Sequence, residues 1–279
     1  MLTIPEVKQL CAQYKLKPSK NRGQNFLINE MPIEKMISAC EITKSDTVVE
    51  IGPGFGALTL ALAKKAKKVI AFEVEKKLQN YWDELLFEKS SSNNIEIIWQ
   101  DALAVLAKNN NINLPSSYKV VANLPYQITS PIIRTFLESG KKPKSMTIMV
   151  QKEVAERICA SPPNMSLLSV AVQFYSNAKI VVNAPKTFFW PQPKVDSAVI
   201  KLDNIQKKHN IDEKKFFKVV RAGFANKRKK LSSNLSGLLN IYDKSIVSSA
   251  FEKAKLNANV RAQELSVEQW IELVIHSGV

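Results

Sequence analysis

The sequence predicts an α/β protein: a doubly wound, mostly parallel sheet followed by a small all-helical domain. Between residues 47 and 150 short apolar runs alternate with helical patterns, as in a parallel sheet covered by helices. Two later runs alternate apolar and polar residues and can pair antiparallel. Beyond about residue 205 only helical patterns remain, so the predicted domains are 1–204 and 205–279.

Two helices are predicted ahead of the sheet. Residues 5–14 have amphipathic spacing, a basic loop follows over 15–23, and the motif GQNFL occupies 23–27. The second helix is predicted over 31–40, because Pro32 falls in its first turn, where a missing N–H is tolerated.

The sheet itself is predicted from seven short runs. The parallel strands are 47–51, 68–72, 95–99, 118–122 and 145–150, and the antiparallel ones are 179–184 and 197–202, joined by the proline-rich loop FFWPQPK. Helices are predicted at 57–65, 75–88, 102–108, 130–139, 153–160 and 167–175. The small domain is predicted to hold helices at 212–223, 231–239, 244–254 and 266–275.

Composition narrows the class of protein and its partner. The 279 residues are 45% hydrophobic and 23% charged, which is typical of a soluble globular protein. A formal charge of +15 favours a nucleic acid over an anionic membrane. Cys11, Cys40 and Cys159 are too far apart for a zinc site and odd in number, so we expect reduced thiols, no metal and a cytoplasmic location. No apolar stretch has the length of a membrane span, and no signal peptide is expected.

A glycine-rich turn between a strand and a helix predicts a cofactor site. Residues 48–59 read VVEIGPGFGALT, in which glycines let a ligand approach the backbone at a helix N-terminus. The same letters satisfy the dinucleotide pattern G-x-G-x-x-A, so a nicotinamide enzyme is one interpretation. Pro53 between Gly52 and Gly54, with Glu50 before them, is instead typical of S-adenosylmethionine-dependent methyltransferases.

Two carboxylates follow neighbouring strands. Glu73 ends the second strand about 20 residues beyond the glycine turn, where it can accept both ribose hydroxyls, although Glu75 competes for this role. Asp101, followed by Ala102, ends the third strand, where it can accept an adenine amine or cap the next helix. We expect that it could do both.

The motif Asn123-Leu124-Pro125-Tyr126 follows the fourth strand directly. An amide oxygen and a strand-end carbonyl can accept the two hydrogens of an exocyclic amine, proline stiffens the turn, and tyrosine can stack. Taken alone, the tetrapeptide is equally consistent with an ordinary turn that closes a strand.

Seven motifs in fixed order extend the evidence to nearly the whole chain. They are GQNFL at 23–27, VEIGPGFGALT at 49–59, Glu73, QDA at 100–102, NLPY at 123–126, QKEVAERI at 151–158 and FWPQPKVDSAV at 189–199. In this arrangement the chain resembles the bacterial 16S ribosomal RNA adenine dimethyltransferases, relatives of the erythromycin-resistance methylases. The resemblance implies a Rossmann-like, seven-stranded methyltransferase sheet and a C-terminal domain that helps to recognise the pre-30S ribosomal particle.

The resemblance also implies the reaction. Methyl groups would pass from S-adenosylmethionine to the exocyclic amines of two adjacent adenosines in the 3′-terminal hairpin of 16S ribosomal RNA, each of which becomes dimethylated. Cofactor contacts would fall on Asn25, Leu27, Gly52, Gly54, Glu73, Asp101, Ala102 and Asn123. Arg22 and the pair Ser166-Leu167 depart from the family pattern, which bears on local RNA contacts.

We predict that positioning dominates the chemistry. The lone pair of an adenine amine is delocalised into the ring, so Asn123 and the Leu124 carbonyl would aim it at the methyl carbon without a dedicated general base. Flipping the base costs a few kcal/mol, and stacking on Tyr126 and Phe189 would return about 1–3 kcal/mol per contact. The alternative for Phe189 is a place in an aromatic core with Phe188 and Trp190.

Basic residues are predicted to bind the RNA. The densest run comprises Lys227, Arg228, Lys229 and Lys230, with Arg221 nearby, and Arg22 lies in the loop before GQNFL. Lys15, Lys17 and Lys20 could form a second contact beside the cofactor entrance. The alternative for each is a solvated surface.

Three other functions remain open at this point. They are a resistance-type adenine methylase acting on 23S ribosomal RNA, a nicotinamide oxidoreductase, and an RNA-binding assembly factor without turnover. The motifs GQNFL and NLPY, together with the family-like tail, favour small-subunit RNA over the resistance-type substrate. We also expect a monomer.

Overall fold

The computed structural model describes residues 1–19, 23–88, 93–107, 114–206, 210–238 and 244–277. The strands in chain order are β1 (Phe26–Leu27), β2 (Thr47–Ile51), β3 (Lys68–Phe72), β4 (Ile95–Ile98), β5 (Lys119–Asn123), β6 (Met146–Gln151), β7 (Asn177–Ala184), β8 (Phe189–Trp190) and β9 (Ser197–Asp203). The helices are α1 (Ile4–Gln13), α2 (Met31–Cys40), α3 (Ala57–Ala63), α4 (Gln79–Glu88), α5 (Ala102–Ala107), α6 (Thr129–Glu138), α7 (Lys152–Ile158), α8 (Leu167–Gln173), α9 (Glu213–Gly223), α10 (Leu231–Leu238), α11 (Lys244–Lys253) and α12 (Val267–His276).

The main sheet has seven strands in the order β4-β3-β2-β5-β6-β9-β7. The first five run parallel, β9 is antiparallel to β6, and β7 is antiparallel to β9. The predicted α/β class is therefore confirmed, including the antiparallel pair at the end of the sheet. The carboxyl ends of β2, β3 and β5 meet at one edge, where a doubly wound sheet places its ligand.

A second, two-stranded sheet was not predicted. In it β1 pairs antiparallel with β8, so that Phe26 faces Trp190 and Leu27 faces Phe189. Two residues are too few for a periodic pattern, which is why both strands read as loop. The pairing joins the GQNFL motif to the proline-rich loop.

The chain divides into two compact units, Met1–Ala155 with Asn177–Ile205, and Glu156–Ser176 with Gln206–Val279. The predicted boundary near residue 205 matches the last crossing between the units, but the predicted first domain also included 156–176. That segment belongs to the second unit, because its contacts lie there. Met165 N–H donates to the Gln263 carbonyl (2.9 Å), and the rings of Phe174 and Phe216 stack with centroids 4.3 Å apart.

Two apolar clusters support the site in the first unit. In one, α2 and α3 pack on the sheet through buried side chains such as Met36, Leu62 and Val121. In the other, α1 packs on Phe55 and Trp82. Burying a side chain of this size stabilises the fold by about 1.5–3 kcal/mol, so both clusters hold the surrounding loops firmly.

The helices of the second unit meet around Gly223 of α9. A Cβ at this position would lie 2.3 Å from the Trp270 ring and 2.8 Å from Leu231, so only glycine permits the approach. Trp270 is fully buried in α12, which begins at a capping box between Ser266 and Gln269. Nowhere in the described ranges does a helix have the length and apolar character needed to cross a membrane.

Candidate active site

A cleft of about 1150 Å³ opens at the carboxyl ends of β2, β3 and β5. The residues predicted to bind a cofactor all line it: Asn25, Leu27, Gly52, Gly54, Glu73, Asp101, Ala102 and Asn123. Pro125 of the NLPY motif lines it as well. The structure therefore brings five of the seven sequence motifs to one cavity.

The glycine turn depends on positive backbone φ angles. Gly52, Gly54 and Gly56 have φ of 72°, 54° and 79°, a region that L-residues avoid. No atom lies within 4 Å of where a Cβ on Gly52 would be, which leaves its cleft side open to a ligand. The turn rests on α4, whose Trp82 Nε1 donates to the Gly54 carbonyl (3.0 Å) and whose Tyr81 hydroxyl donates to the Phe55 carbonyl (2.8 Å).

Glu73 is fixed by the backbone around it. Its Oε1 accepts from the N–H groups of Val74 and Glu75 (both 2.8 Å), and its Oε2 accepts from Gly54 N–H (3.3 Å). Burial raises the pKa of this carboxyl, and the three N–H donors oppose the rise. Oε1 already accepts two hydrogen bonds, whereas Oε2 accepts one and has a further lone pair, so Oε2 is positioned to accept from the hydroxyls of a ligand in the cleft. Glu75 instead caps the turn at Lys76–Leu78 through Lys77 N–H.

Asp101 caps α5. Its Oδ1 accepts from Leu103 N–H (2.8 Å), and its carbonyl accepts from Val105 N–H (3.0 Å). Oδ2 accepts no hydrogen bond from the described residues, and the side chain is exposed to the cleft. Asp101 therefore acts as a helix cap through Oδ1, and Oδ2 is left to accept from an amine in the cleft.

A buried acid lies beneath the glycine turn. Glu50 is 1% exposed yet lines the cleft, and neither its Oε2 nor the buried Thr59 hydroxyl has a hydrogen-bond partner in the described part of the chain. Burial raises the pKa of Glu50 to about 8; the adjacent Thr59 hydroxyl opposes this rise, and the Glu73 carboxylate adds to it. An unpartnered acid in such a place is suited to meet a cationic group of a ligand.

The two predicted amine acceptors are both unused. Asn123 ends β5 opposite Met149, and its side-chain amide forms no hydrogen bond with any described residue. Leu124 N–H donates to the Met149 carbonyl (3.1 Å), whereas no described donor reaches the Leu124 carbonyl. Gly23 packs against the same turn, since a Cβ on it would lie 3.3 Å from Pro125 Cα. GQNFL and NLPY are therefore neighbours in space.

The structure separates the two predicted stacking residues. Tyr126 follows Pro125 and is half-buried, with its hydroxyl 2.9 Å from Ser197 Oγ, and burial raises its pKa. Neither Tyr126 nor Phe189 is among the residues that line the cleft, and Phe189 is 3% exposed in the core cluster with Leu27 and Met36. Its predicted stacking role stays a prediction: β8 pairs with β1, and the ring is buried in that core cluster.

Several cleft residues escaped the sequence analysis. Leu2 and Val7 line the cleft from the N-terminal helix, and Phe26 lines it from β1. Their apolar types are also those of ordinary core residues, so no signal distinguished them. The buttressing pair Tyr81 and Trp82 was missed for the same reason.

The predicted RNA-binding residues lie mostly in the second unit. Arg221 is exposed in the last turn of α9, and the exposed cations of the next segment are Lys227, Arg228, Lys229 and Lys230. Lys230 Nζ donates to Asn259 Oδ1 (2.6 Å). Arg22 lies outside the described residues. In the described ranges no cluster of three His, Cys, Asp or Glu side chains could hold a metal ion.

Known proteins resemble this chain along most of its length. Residues 16–277 match the family described as ribosomal RNA adenine dimethylase. A protein called ribosomal RNA small subunit methyltransferase A from Clostridium botulinum (strain Langeland) is 43% identical over 95% of this chain and 96% of its own. The protein of the same name from Dehalococcoides mccartyi (strain CBDB1) is 40% identical over 98% of this chain and 92% of its own.

Two solved structures share the fold. A dimethyladenosine transferase from Plasmodium falciparum gives a TM-score of 0.76 at 28% identity, over 89% of this chain and 95% of its own. The 23S rRNA methyltransferase ErmE gives a TM-score of 0.72 at 26% identity, over 90% of this chain and 99% of its own.

Proposed function

Since the chain belongs to the ribosomal RNA adenine dimethylase family, we propose that it dimethylates two adjacent adenosines in the 3′-terminal hairpin of 16S ribosomal RNA. The family resemblance noted from the motifs is confirmed, and the chain is a ribosomal RNA methyltransferase. The observation that carries the finer proposal is the pair of free acceptors, Asn123 Oδ1 and the Leu124 carbonyl, at a cleft edge built by cofactor-type motifs.

The residues of the cleft fit S-adenosylmethionine. When bound, it supplies a methyl group on a sulfonium, which is an excellent leaving group. Glu73 would accept the ribose hydroxyls, and Asp101 Oδ2 would accept the adenine amine. The orphaned Glu50 Oε2 suits the positive charge of the ligand, and the open side of Gly52 leaves room for it.

The protein contributes geometry to the transfer. Asn123 and Leu124 accept the two hydrogens of the target amine, which draws the nitrogen toward a tetrahedral shape and aims its lone pair. Pro125 fixes the turn, and Tyr126 offers a face to the flipped base, worth about 1–3 kcal/mol. The proton leaves after the methyl has been transferred, so no residue is assigned as general base.

The small-subunit substrate is favoured over the large-subunit one. Both relatives named for the small subunit are at least 40% identical, whereas ErmE is 26% identical. We further propose that the substrate is the RNA within a pre-30S particle, met in the cytoplasm by a monomer whose second unit contributes Arg221 and Lys227 to binding.

Methylation of immature small subunits tests the proposal. Subunits from cells that lack the modification, incubated with the protein and labelled S-adenosylmethionine, should gain label in their RNA. An absence of label, in an assay where a related enzyme succeeds, would refute the proposed substrate. Label found only in large-subunit RNA would move the assignment to the resistance-type methylases.

A further inference from the structure

Exposed lysines surround the mouth of the cleft in the first unit. They are Lys8, Lys15, Lys76 and Lys77, here called the lysine rim. We propose that the lysine rim binds the backbone phosphates on either side of the nucleotide that enters the cleft. The inference rests on the proposed function and adds a substrate-binding surface to it.

Two short elements, α1 and the turn at Lys76–Leu78, place three of these lysines at the cleft. Val7 of α1 lines the cavity and Lys8 follows it directly. Leu78 lines the cavity too, immediately after Lys76 and Lys77. Because the apolar neighbour faces inward in each case while the lysines are exposed, the ammonium groups lie on the outer side of the same wall.

Two contacts hold the rim together. Lys77 Nζ donates to the Lys15 carbonyl (3.0 Å), which joins the loop after α1 to the turn at Lys76–Leu78. Lys8 Nζ lies 5.9 Å from the centroid of the Trp190 ring, within the range of a cation–π contact. Trp190 pairs with Phe26, which itself lines the cleft. Lys8 is thereby kept beside the opening.

The rim carries charge that the protein does not neutralise. None of the four lysines forms an ion pair with a described residue. The nearby carboxylates have other tasks: Glu6 accepts from Thr3, and Glu84 accepts from the Tyr14 hydroxyl. Four cations without an ion-pair partner among the described residues attract a polyanion, and the RNA that brings an adenine to the cleft is such a polyanion.

The test compares two double variants that remove the same charge. Lys8→Ala/Lys77→Ala changes the rim, and Lys64→Ala/Lys65→Ala changes two exposed lysines that do not line the cleft. Affinity for the 3′-terminal hairpin of small-subunit RNA is measured across a salt series, together with S-adenosylmethionine affinity by calorimetry. Anionic phospholipid vesicles serve as a second polyanion.

The rim variant should bind RNA up to about fivefold more weakly per lysine removed, with cofactor affinity unchanged. Its salt dependence should lose about 0.7 in slope per phosphate contact. The proposal is overturned if the control variant loses as much, if the slope is unchanged, if cofactor affinity falls equally, or if the rim loss appears only with vesicles.

The experiments distinguish a wrong proposal about the lysine rim from a wrong proposed function. If the wild-type protein methylates small subunits but the rim variant binds RNA as well as the wild type, only the rim is wrong. If the wild-type protein does not methylate small subunits, the proposed function fails whatever the salt series shows.

Discussion

Leu27 pairs with Phe189 across the two-stranded sheet, and both side chains are buried. The pairing ties the segment that carries Asn25 to the proline-rich loop, more than 160 positions later in the chain. Side chains alternate along a strand, so the neighbouring pair, Phe26 and Trp190, lies on the opposite face with the cluster under α1. Phe189 therefore stabilises the wall of the cleft from behind.

Asn123→Ala should remove turnover and leave RNA binding largely intact. The amide has no structural hydrogen bond to lose, so the expected loss is in aiming the amine, about 100-fold or more in kcat. Single-turnover methylation and RNA binding are measured on the same preparation. Asn183→Ala, an exposed asparagine of β7, is the matched control and should behave as wild type. Equal loss of RNA binding and turnover would show a structural role instead.

Glu73→Gln should weaken cofactor binding about 10- to 100-fold, because a charged acceptor for two hydroxyls becomes a neutral one. Calorimetry with S-adenosylmethionine measures the change. Glu75→Gln is the control, since Glu75 caps a turn and does not line the cleft. If the Glu75 variant lost more affinity, the ribose contact would have been assigned to the wrong carboxylate.

Gly54→Ala should destabilise the fold by about 1–2 kcal/mol and weaken cofactor binding. The residue has φ of 54°, and a Cβ would lie 3.3 Å from the Phe26 ring, which lines the cleft. Denaturant unfolding measures the first effect. At Gly140 a Cβ meets nothing within 4 Å, so Gly140→Ala should stay within about 0.5 kcal/mol of wild type. Wild-type stability of Gly54→Ala would contradict the strained turn.

Glu50 should make the unliganded protein less stable as pH rises. Its pKa is about 8 in the folded chain and near its ordinary value in the unfolded chain, so between these values only the folded state holds the proton. The free energy of unfolding therefore falls by a few kcal/mol from about pH 5 to pH 8.

The Glu50→Gln variant isolates this contribution, because glutamine has no proton to lose. Glu73, whose pKa is also raised, remains in both proteins. Urea unfolding at the two pH values should show that the free energy of unfolding falls less for the variant than for the wild type. Identical falls would mean that Glu50 is hydrated when ionised.

Apolar runs predicted the seven strands because a strand buried on both faces leaves a continuous signature. The glycine turn and the NLPY motif could be placed for a similar reason: each follows a strand, and parallel strands end at one edge. The sequence did not predict contacts between segments that are far apart in the chain. Nothing local to Phe189 shows that β8 pairs with β1, and nothing local to segment 156–176 shows that it packs on Phe216.

The surroundings of individual side chains could not be predicted from the sequence either. Glu50 is notable because its Oε2 is buried without a partner, and Tyr81 because its hydroxyl supports the glycine turn. Both depend on neighbours distant in the chain. The two roles predicted for Asp101, helix cap and amine acceptor, are compatible. One carboxylate oxygen caps α5, and the other accepts no hydrogen bond from a described residue.

Mass spectrometry of the 3′-terminal fragment of small-subunit RNA tests the central claim most directly. The fragment is taken from cells that lack the modification and that express either the wild-type protein or Asn123→Ala. The account predicts two additional methyl groups on each of two adjacent adenosines with the wild type and none with the variant. An unmodified fragment in both strains, or new methyl groups on large-subunit RNA alone, would contradict it.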